Sequence, residues 1–132
     1  MSAPRLLTIA ALICAASAAA TGPSPAQPDQ KDENACFARS MVEGFSAPND
    51  RTVYLRVGVT DVYRLDLMSN CMNLSFRDSL GLEDRPASAF ICSPLEATVV
   101  YREHGIRERC PVTAIHKLTK AEIAAVPKRD LP

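Results

Sequence analysis

Four cysteines constrain the fold of this 132-residue chain more than any other feature: Cys36, Cys71, Cys92 and Cys110 all follow an export-like N-terminus. An even number of cysteines in a small exported domain predicts two disulfides. No Cys-x-x-Cys spacing occurs among them, which argues against a zinc knuckle or a thioredoxin-like redox pair. Three connectivities are open. We favour the nested one, Cys36 with Cys110 and Cys71 with Cys92, because it ties the first ordered segment to the last strand.

The first twenty residues have the three parts of a secretory signal peptide. Arg5 precedes the apolar stretch 6–13, and a tract of small residues ends in Ala18 and Ala20. This pattern predicts cleavage near Ala20 and a periplasmic or secreted protein. Acylation of Cys14 is the alternative, but the bulky Ile13 stands where a lipoprotein signal needs a small residue. The apolar run is shorter than the roughly 20 residues of a membrane span, so no transmembrane segment is predicted.

The remaining chain has room for one domain. Residues 21–34 contain three prolines and no large apolar side chain, which predicts a flexible tether. The domain is expected over residues 35–126, followed by a tail over 127–132. Without Arg5 the chain has 14 basic and 15 acidic residues, a net charge of −1. Such a balance gives no reason to expect nucleic acid or an anionic membrane surface as a partner.

Two segments with alternating apolar residues, 52–57 and 63–67, predict a β-hairpin. Pairing residue 57 with 63, 55 with 65 and 53 with 67 places all six apolar side chains on one face. A second hairpin is predicted over residues 97–115, with its turn at His104-Gly105.

Weaker patterns complete the predicted fold. Residues 90–92 and 36–45 are interpreted as strands, and Pro111 is expected at a sheet edge or a bulge. Thr119 and Glu122 form a capping box for a short helix that ends at Pro127, and residues 73–80 are interpreted as another short helix. The predicted fold is mostly β, an antiparallel barrel-like or sandwich domain with one or two short helices.

The outer face of the first hairpin is the candidate binding surface. In the favoured register Arg56 lies opposite Arg64, and Tyr54 lies opposite Asp66. Two like charges in one cross-strand pair are destabilising, so Tyr54, Arg56 and Arg64 indicate an anionic partner. The alternative is that Asp66 neutralises the arginines. A second group is interleaved with glutamates and is interpreted as a solvated hairpin tip: Arg102, Arg107 and Arg109, with Glu103 and Glu108.

No catalytic, metal or cofactor site is predicted. The two histidines, His104 and His116, lack a metal-binding spacing, and no nucleophile elbow is present.

Several segments together resemble a family of small exported proteins of Gram-negative bacteria that is catalogued as a domain of unknown function. They are Cys36-Phe37, residues 50–58 and 61–65, Cys71, Ile91-Cys92, residues 109–112 and residues 118–122. The resemblance spans residues 35–125 and implies export and one compact domain. It implies no activity.

Together these patterns favour a non-enzymatic binding or structural module of the periplasm or envelope, which contacts a protein or an envelope component through an exposed β face. One variant is an inhibitor of a wall-degrading hydrolase. The competing class is a thiol–disulfide redox protein that cycles Cys71 and Cys92.

Overall fold

Eight β-strands and one short α-helix make up the regular structure of the described residues, apart from four short 3-10 turns. A computed structural model describes residues 35–84 and 88–132. The predicted signal peptide and tether lie outside them. The strands are β1 (Phe37–Ala38), β2 (Val42–Asn49), β3 (Thr52–Val57), β4 (Asp61–Leu67), β5 (Gly81–Asp84), β6 (Phe90–Ile91), β7 (Ala97–Glu103) and β8 (Ile106–Lys117). The helix α1 spans Lys120–Ala125.

Six strands form one antiparallel sheet in the order β2-β3-β4-β8-β7-β5, which curls into a half-barrel. The other two, β1 and β6, pair separately as a two-residue antiparallel ladder. The prediction of a mostly β, barrel-like antiparallel domain is confirmed.

The concave side of the half-barrel holds the core. The six apolar residues predicted to share a face are all buried there: Val53, Leu55, Val57, Tyr63, Leu65 and Leu67. Phe37 and Ile91, from the β1–β6 ladder, join the same cluster. Leu74, which is fully buried in the 3-10 turn Leu74–Phe76, fills the space beside the β2 edge.

The register predicted for the first hairpin is wrong by two residues. The observed pairs include Val57 with Asp61, Leu55 with Tyr63 and Val53 with Leu65. The reason lies in the turn, where Gly58 adopts a φ of 61° and the chain reverses within residues 58–60, so that more cross-strand pairs form near it. An even shift preserves which side chains face the core. It does change their neighbours across the strands.

The second hairpin turns at His104-Gly105, as predicted. Both residues have a positive φ, 48° and 82°, as a two-residue hairpin turn of type I′ requires. Both strands extend to this turn, because Glu103 pairs with Ile106. Further along β8, the pairs Asp66–Ala114 and Leu67–Val112 leave Thr113 unpaired, which is a β-bulge. Pro111 was expected at a sheet edge or a bulge, but it lies within the central strand β8, paired with Thr98 and two residues before the bulge.

The predicted disulfide connectivity is wrong. Cys36 is bonded to Cys92 and Cys71 to Cys110. The β1–β6 ladder pairs Phe37 with Ile91, which places Cys36 opposite Cys92 at its next position. Cys71 follows β4, whose neighbour β8 carries Cys110. The second disulfide therefore links the end of β4 to the strand beside it.

The remaining predictions have mixed outcomes. Thr119 and Glu122 form the predicted capping box of α1. Residues 36–45 contain β1, a 3-10 turn and the start of β2. In place of a helix over 73–80, only the short 3-10 turn forms, and β5 follows it. Asn73 precedes that turn with a φ of 59°, outside the helical region.

Candidate functional site

The convex outer face of the sheet collects arginine side chains from four strands. A strand alternates its side chains between two faces, and the bulge at Thr113 inserts one extra residue into that alternation. Residues 107 and 109 therefore share a face with residues 114 and 116. Two acidic residues, Asp66 and Glu83, lie on the outer face. The same face carries five arginines: Arg56, Arg64, Arg102, Arg107 and Arg109.

The three arginines of the second hairpin form what we call the basic patch: Arg102, Arg107 and Arg109. Arg102 lies directly opposite Arg107, and Arg109 lies opposite Val100. Glu103 and Glu108 occupy the alternate positions and face the other way. The arginines are exposed, as expected for a solvated hairpin tip, but strand alternation places them on the opposite face from Glu103 and Glu108.

Among the described residues, one carboxylate pairs with the basic patch. Glu83 on β5 accepts hydrogen bonds from Arg107 Nη2 and Arg109 Nη2. Both arginine side chains stay about half exposed, at 56% and 50%. Arg102 is exposed, and its Nη1 donates to the Gly105 carbonyl at 3.5 Å. Three guanidinium groups face one carboxylate, so the patch keeps positive charge and unused donors.

An open cleft of about 400 Å³ borders the patch, lined by Ser79, Leu80, Gly81, Val100, Tyr101, Arg102 and Arg107. Gly81 shapes its floor, because a Cβ at this position would lie 3.0 Å from Val100 Cγ2. The missing side chain lets β5 approach β7 closely. Two guanidinium groups thus stand beside a concave surface with room for a small anionic group.

The surface predicted on the first hairpin makes internal contacts instead. Tyr54 lies opposite Arg64, and Arg56 lies opposite Val62, so the predicted Arg56–Arg64 and Tyr54–Asp66 pairs do not form. Arg64 Nη2 lies 3.3 Å from Asp66 Oδ2. Arg56 Nη1 donates to the Pro132 carbonyl at 3.4 Å. Tyr54, Arg56 and Arg64 are all half-buried.

The basic patch could have been predicted from the sequence. A two-residue turn at His104-Gly105 fixes Arg102 opposite Arg107, and alternation then places Arg109 on the same face. The position of Glu83 could not have been predicted, because no pattern in the sequence indicates that β5 pairs with β7.

A second cleft of about 410 Å³ lies where Cys36 enters the domain, and we call it the disulfide cleft. Its lining includes Met41, Val59 and Phe90, which are 52%, 92% and 58% exposed. Lys117, also in the lining, forms an ion pair with Asp61 at 2.7 Å. Hydrogen bonding to the Asp61 carboxylate raises the pKa of Lys117.

Across residues 35–84 and 88–132, no group of three or more His, Cys, Asp or Glu side chains is placed to hold a metal ion. In the same part of the chain no helix is long and apolar enough to cross a bilayer.

Two disulfides are consistent with an extracytoplasmic location. No curated protein and no solved structure matches the chain. Residues 2–130 do match a protein family, over a longer stretch than the 35–125 of the sequence resemblance. The chain belongs to that family, a family of unknown function (DUF6491).

Proposed function

We propose that this protein is a non-enzymatic binding module of the periplasm or cell envelope, and that its basic patch binds a phosphate-bearing envelope component. The pair Arg102–Arg107 beside the 400 Å³ cleft carries the proposal. Like charges directly opposite each other on a sheet destabilise the fold. An anionic ligand bound between Arg102 and Arg107 would remove this repulsion, and the energy released would favour binding.

Arginine suits this ligand class. Its planar guanidinium donates two parallel hydrogen bonds to phosphate or carboxylate oxygens. Among the described residues, the Arg102 guanidinium makes one hydrogen bond, at 3.5 Å, to a neutral carbonyl, so its other donors are open to a ligand. The full chain has a net charge of zero, and the chain without residues 1–20 has a net charge of −1. Attraction to an anion therefore depends on how charge is distributed over the surface rather than on the total.

Residues 1–20 are proposed to direct export and to be removed near Ala20. The disulfides and the signal-like start support this location together. In that compartment phosphate groups occur on lipid headgroups and on soluble polymers, and both present the same chemistry to the basic patch.

The test measures binding of the mature protein to soluble polyphosphate and to phosphatidylcholine vesicles with and without phosphatidylglycerol. Arg102→Glu is expected to weaken binding about tenfold or more, since one charge-assisted hydrogen bond is worth about 1.5–3 kcal/mol. Arg51→Glu is the matched control, because it makes the same change of charge at the β2–β3 turn, away from the patch.

Binding to both probes would identify phosphate as the recognised group. Binding to vesicles alone would identify a lipid surface as its source, and binding to polyphosphate alone a soluble polymer. If neither probe binds, or if Arg51→Glu weakens binding as much as Arg102→Glu, the basic patch is not the binding site.

Glu83→Gln provides a second test, in which the affinity for polyphosphate is expected to rise rather than fall. This change removes the carboxylate that holds Arg107 and Arg109. We expect polyphosphate affinity to rise several-fold, while stability changes by less than about 1 kcal/mol because the ion pairs are solvent-exposed. A fall in affinity would show that the ligand needs the bridged arrangement and would count against a phosphate site.

A further inference from the structure

The two disulfides of this domain differ sharply in their surroundings. Cys71 and Cys110 are buried in the core cluster, with 3% and 5% of their surfaces exposed. Cys36 is exposed and lines the disulfide cleft, and Cys92 is half-buried. Attack by an external thiolate requires access to a sulfur atom, so the two bonds differ in their susceptibility to exchange.

We propose that Cys36–Cys92 is a site of reversible thiol–disulfide exchange with an external dithiol, and that Cys71–Cys110 is a permanent cross-link. The open disulfide cleft provides the approach to Cys36. This site is independent of the basic patch, because the disulfide cleft and the cleft beside the patch share no lining residue.

The exchange balances with one dithiol as the reductant. Its first thiolate attacks Cys36 Sγ, the Cys36–Cys92 bond breaks, and Cys92 leaves as a thiolate that takes up a proton. The second thiolate of the reductant then attacks its own sulfur in the mixed disulfide. Cys36 is released as a thiol, the dithiol is oxidised to a disulfide, and two electrons have been transferred.

Contacts around the site keep the two cysteines together after the bond is broken. Tyr63 Oη donates to the Cys36 carbonyl at 3.2 Å, and the Phe37 ring packs on the Tyr63 ring with centroids 4.9 Å apart. Ile91, next to Cys92, is fully buried. Because these contacts do not involve sulfur, the reduced thiols stay close enough to re-form the bond. Reversibility distinguishes an exchange site from simple damage.

The reactivity test uses native wild-type protein treated with dithiothreitol. Samples are alkylated at intervals with iodoacetamide and mapped by mass spectrometry, while near-UV circular dichroism confirms that the fold persists. We expect Cys36 and Cys92 to be labelled about tenfold faster than Cys71 and Cys110, or more, because rates depend on access. Removal of the reductant should restore the bond. Equal labelling rates, faster labelling of Cys71 and Cys110, or failure to re-form the bond would overturn the proposal.

The direction of attack is tested with glutathione, a monothiol whose mixed disulfide with the protein is trapped by acid quenching before the freed cysteine or a second glutathione reacts with it. We expect glutathione on Cys36, and its appearance on Cys92 would contradict approach through the disulfide cleft. In the double variant Cys36→Ser with Cys92→Ser, the fast labelling phase should be absent. Should that variant fail to fold, the wild-type measurement still decides the matter.

Discussion

At the scale of single residues, a polar cluster lies at the end of β7, next to the second turn. Among the described residues, Glu103 is the one charged residue that is buried, with 8% of its surface exposed. Its Oε1 accepts a hydrogen bond from Asn73 Nδ2 at 2.9 Å, and its Oε2 lies 2.6 Å from Arg77 Nη2. Arg77 also donates from Nε to the Asn73 carbonyl at 3.0 Å. The cluster fastens the segment after Cys71 to the end of β7.

Arg77→Ala should therefore destabilise the fold by about 2–3 kcal/mol, because it removes the arginine partner of the buried Glu103 carboxylate and leaves that carboxylate with Asn73 and the exposed His104 ring. Urea unfolding followed by circular dichroism measures the loss. Arg109→Ala is the control: it breaks an exposed ion pair and should cost less than about 1 kcal/mol. Equal losses in the two variants would contradict the structural role given to Glu103.

At the scale of elements, the turns determine which side chains meet across the sheet. Gly58 and Gly105 both have a positive φ, and their turns set the register of the two hairpins. For a residue with a Cβ, this left-handed conformation costs roughly 1–2 kcal/mol.

Gly58→Ala should lower the free energy of unfolding by about 1 kcal/mol or more for this reason. Space is not the limit, because the nearest atom to the new Cβ is Met41 Cε at 3.6 Å. Gly44→Ala is the matched control in β2, where the new Cβ would contact only the flexible end of Arg56 at 3.4 Å. A larger loss for Gly44→Ala in urea unfolding would show that the turn conformation does not govern the register.

The helix α1 depends on a carboxylate at its start. The Thr119 backbone N–H, followed by the His116 ring, lowers the pKa of Glu122 from 4.5 to about 2. A lowered pKa means that the ionised carboxylate stabilises the fold above pH 4.5, and that this contribution is lost as the pH falls toward 2.

We expect the Glu122 carboxyl resonance in an NMR titration to show a midpoint near 2. In His116→Ala the midpoint should rise but remain below 4.5, because the Thr119 backbone N–H is still present. A midpoint of 4.5 in the wild-type protein would mean that the capping box does not form in solution.

At the scale of the whole molecule, the sequence predicted what depends on neighbours along the chain. The alternation of Val53, Leu55 and Leu65 identified the strands and their buried face. The turn at His104-Gly105 and the helix cap at Thr119 are equally local. Each of these features depends on a few consecutive residues, so it can be predicted from a single sequence.

Features that depend on distant segments were missed. The β1–β6 ladder has only two residue pairs, which is too short for a pattern, and the pairing of Cys36 with Cys92 depends on it. The bulge at Thr113 reverses the alternation of β8, and β5 contributes Glu83 from an unrelated stretch. Alternation around the His104-Gly105 turn is enough to place Arg102, Arg107 and Arg109 on one face. The carboxylate that bridges Arg107 and Arg109 comes from β5, which no local pattern indicates.

The most direct test of the central claim, that the basic patch binds phosphate, is an NMR titration of the isotopically labelled mature domain with polyphosphate. We predict saturable amide shifts centred on Arg102, Arg107 and Arg109, and smaller shifts around Tyr54 and Arg64. Shifts confined to the disulfide cleft, or no saturable shift at any residue, would contradict the account.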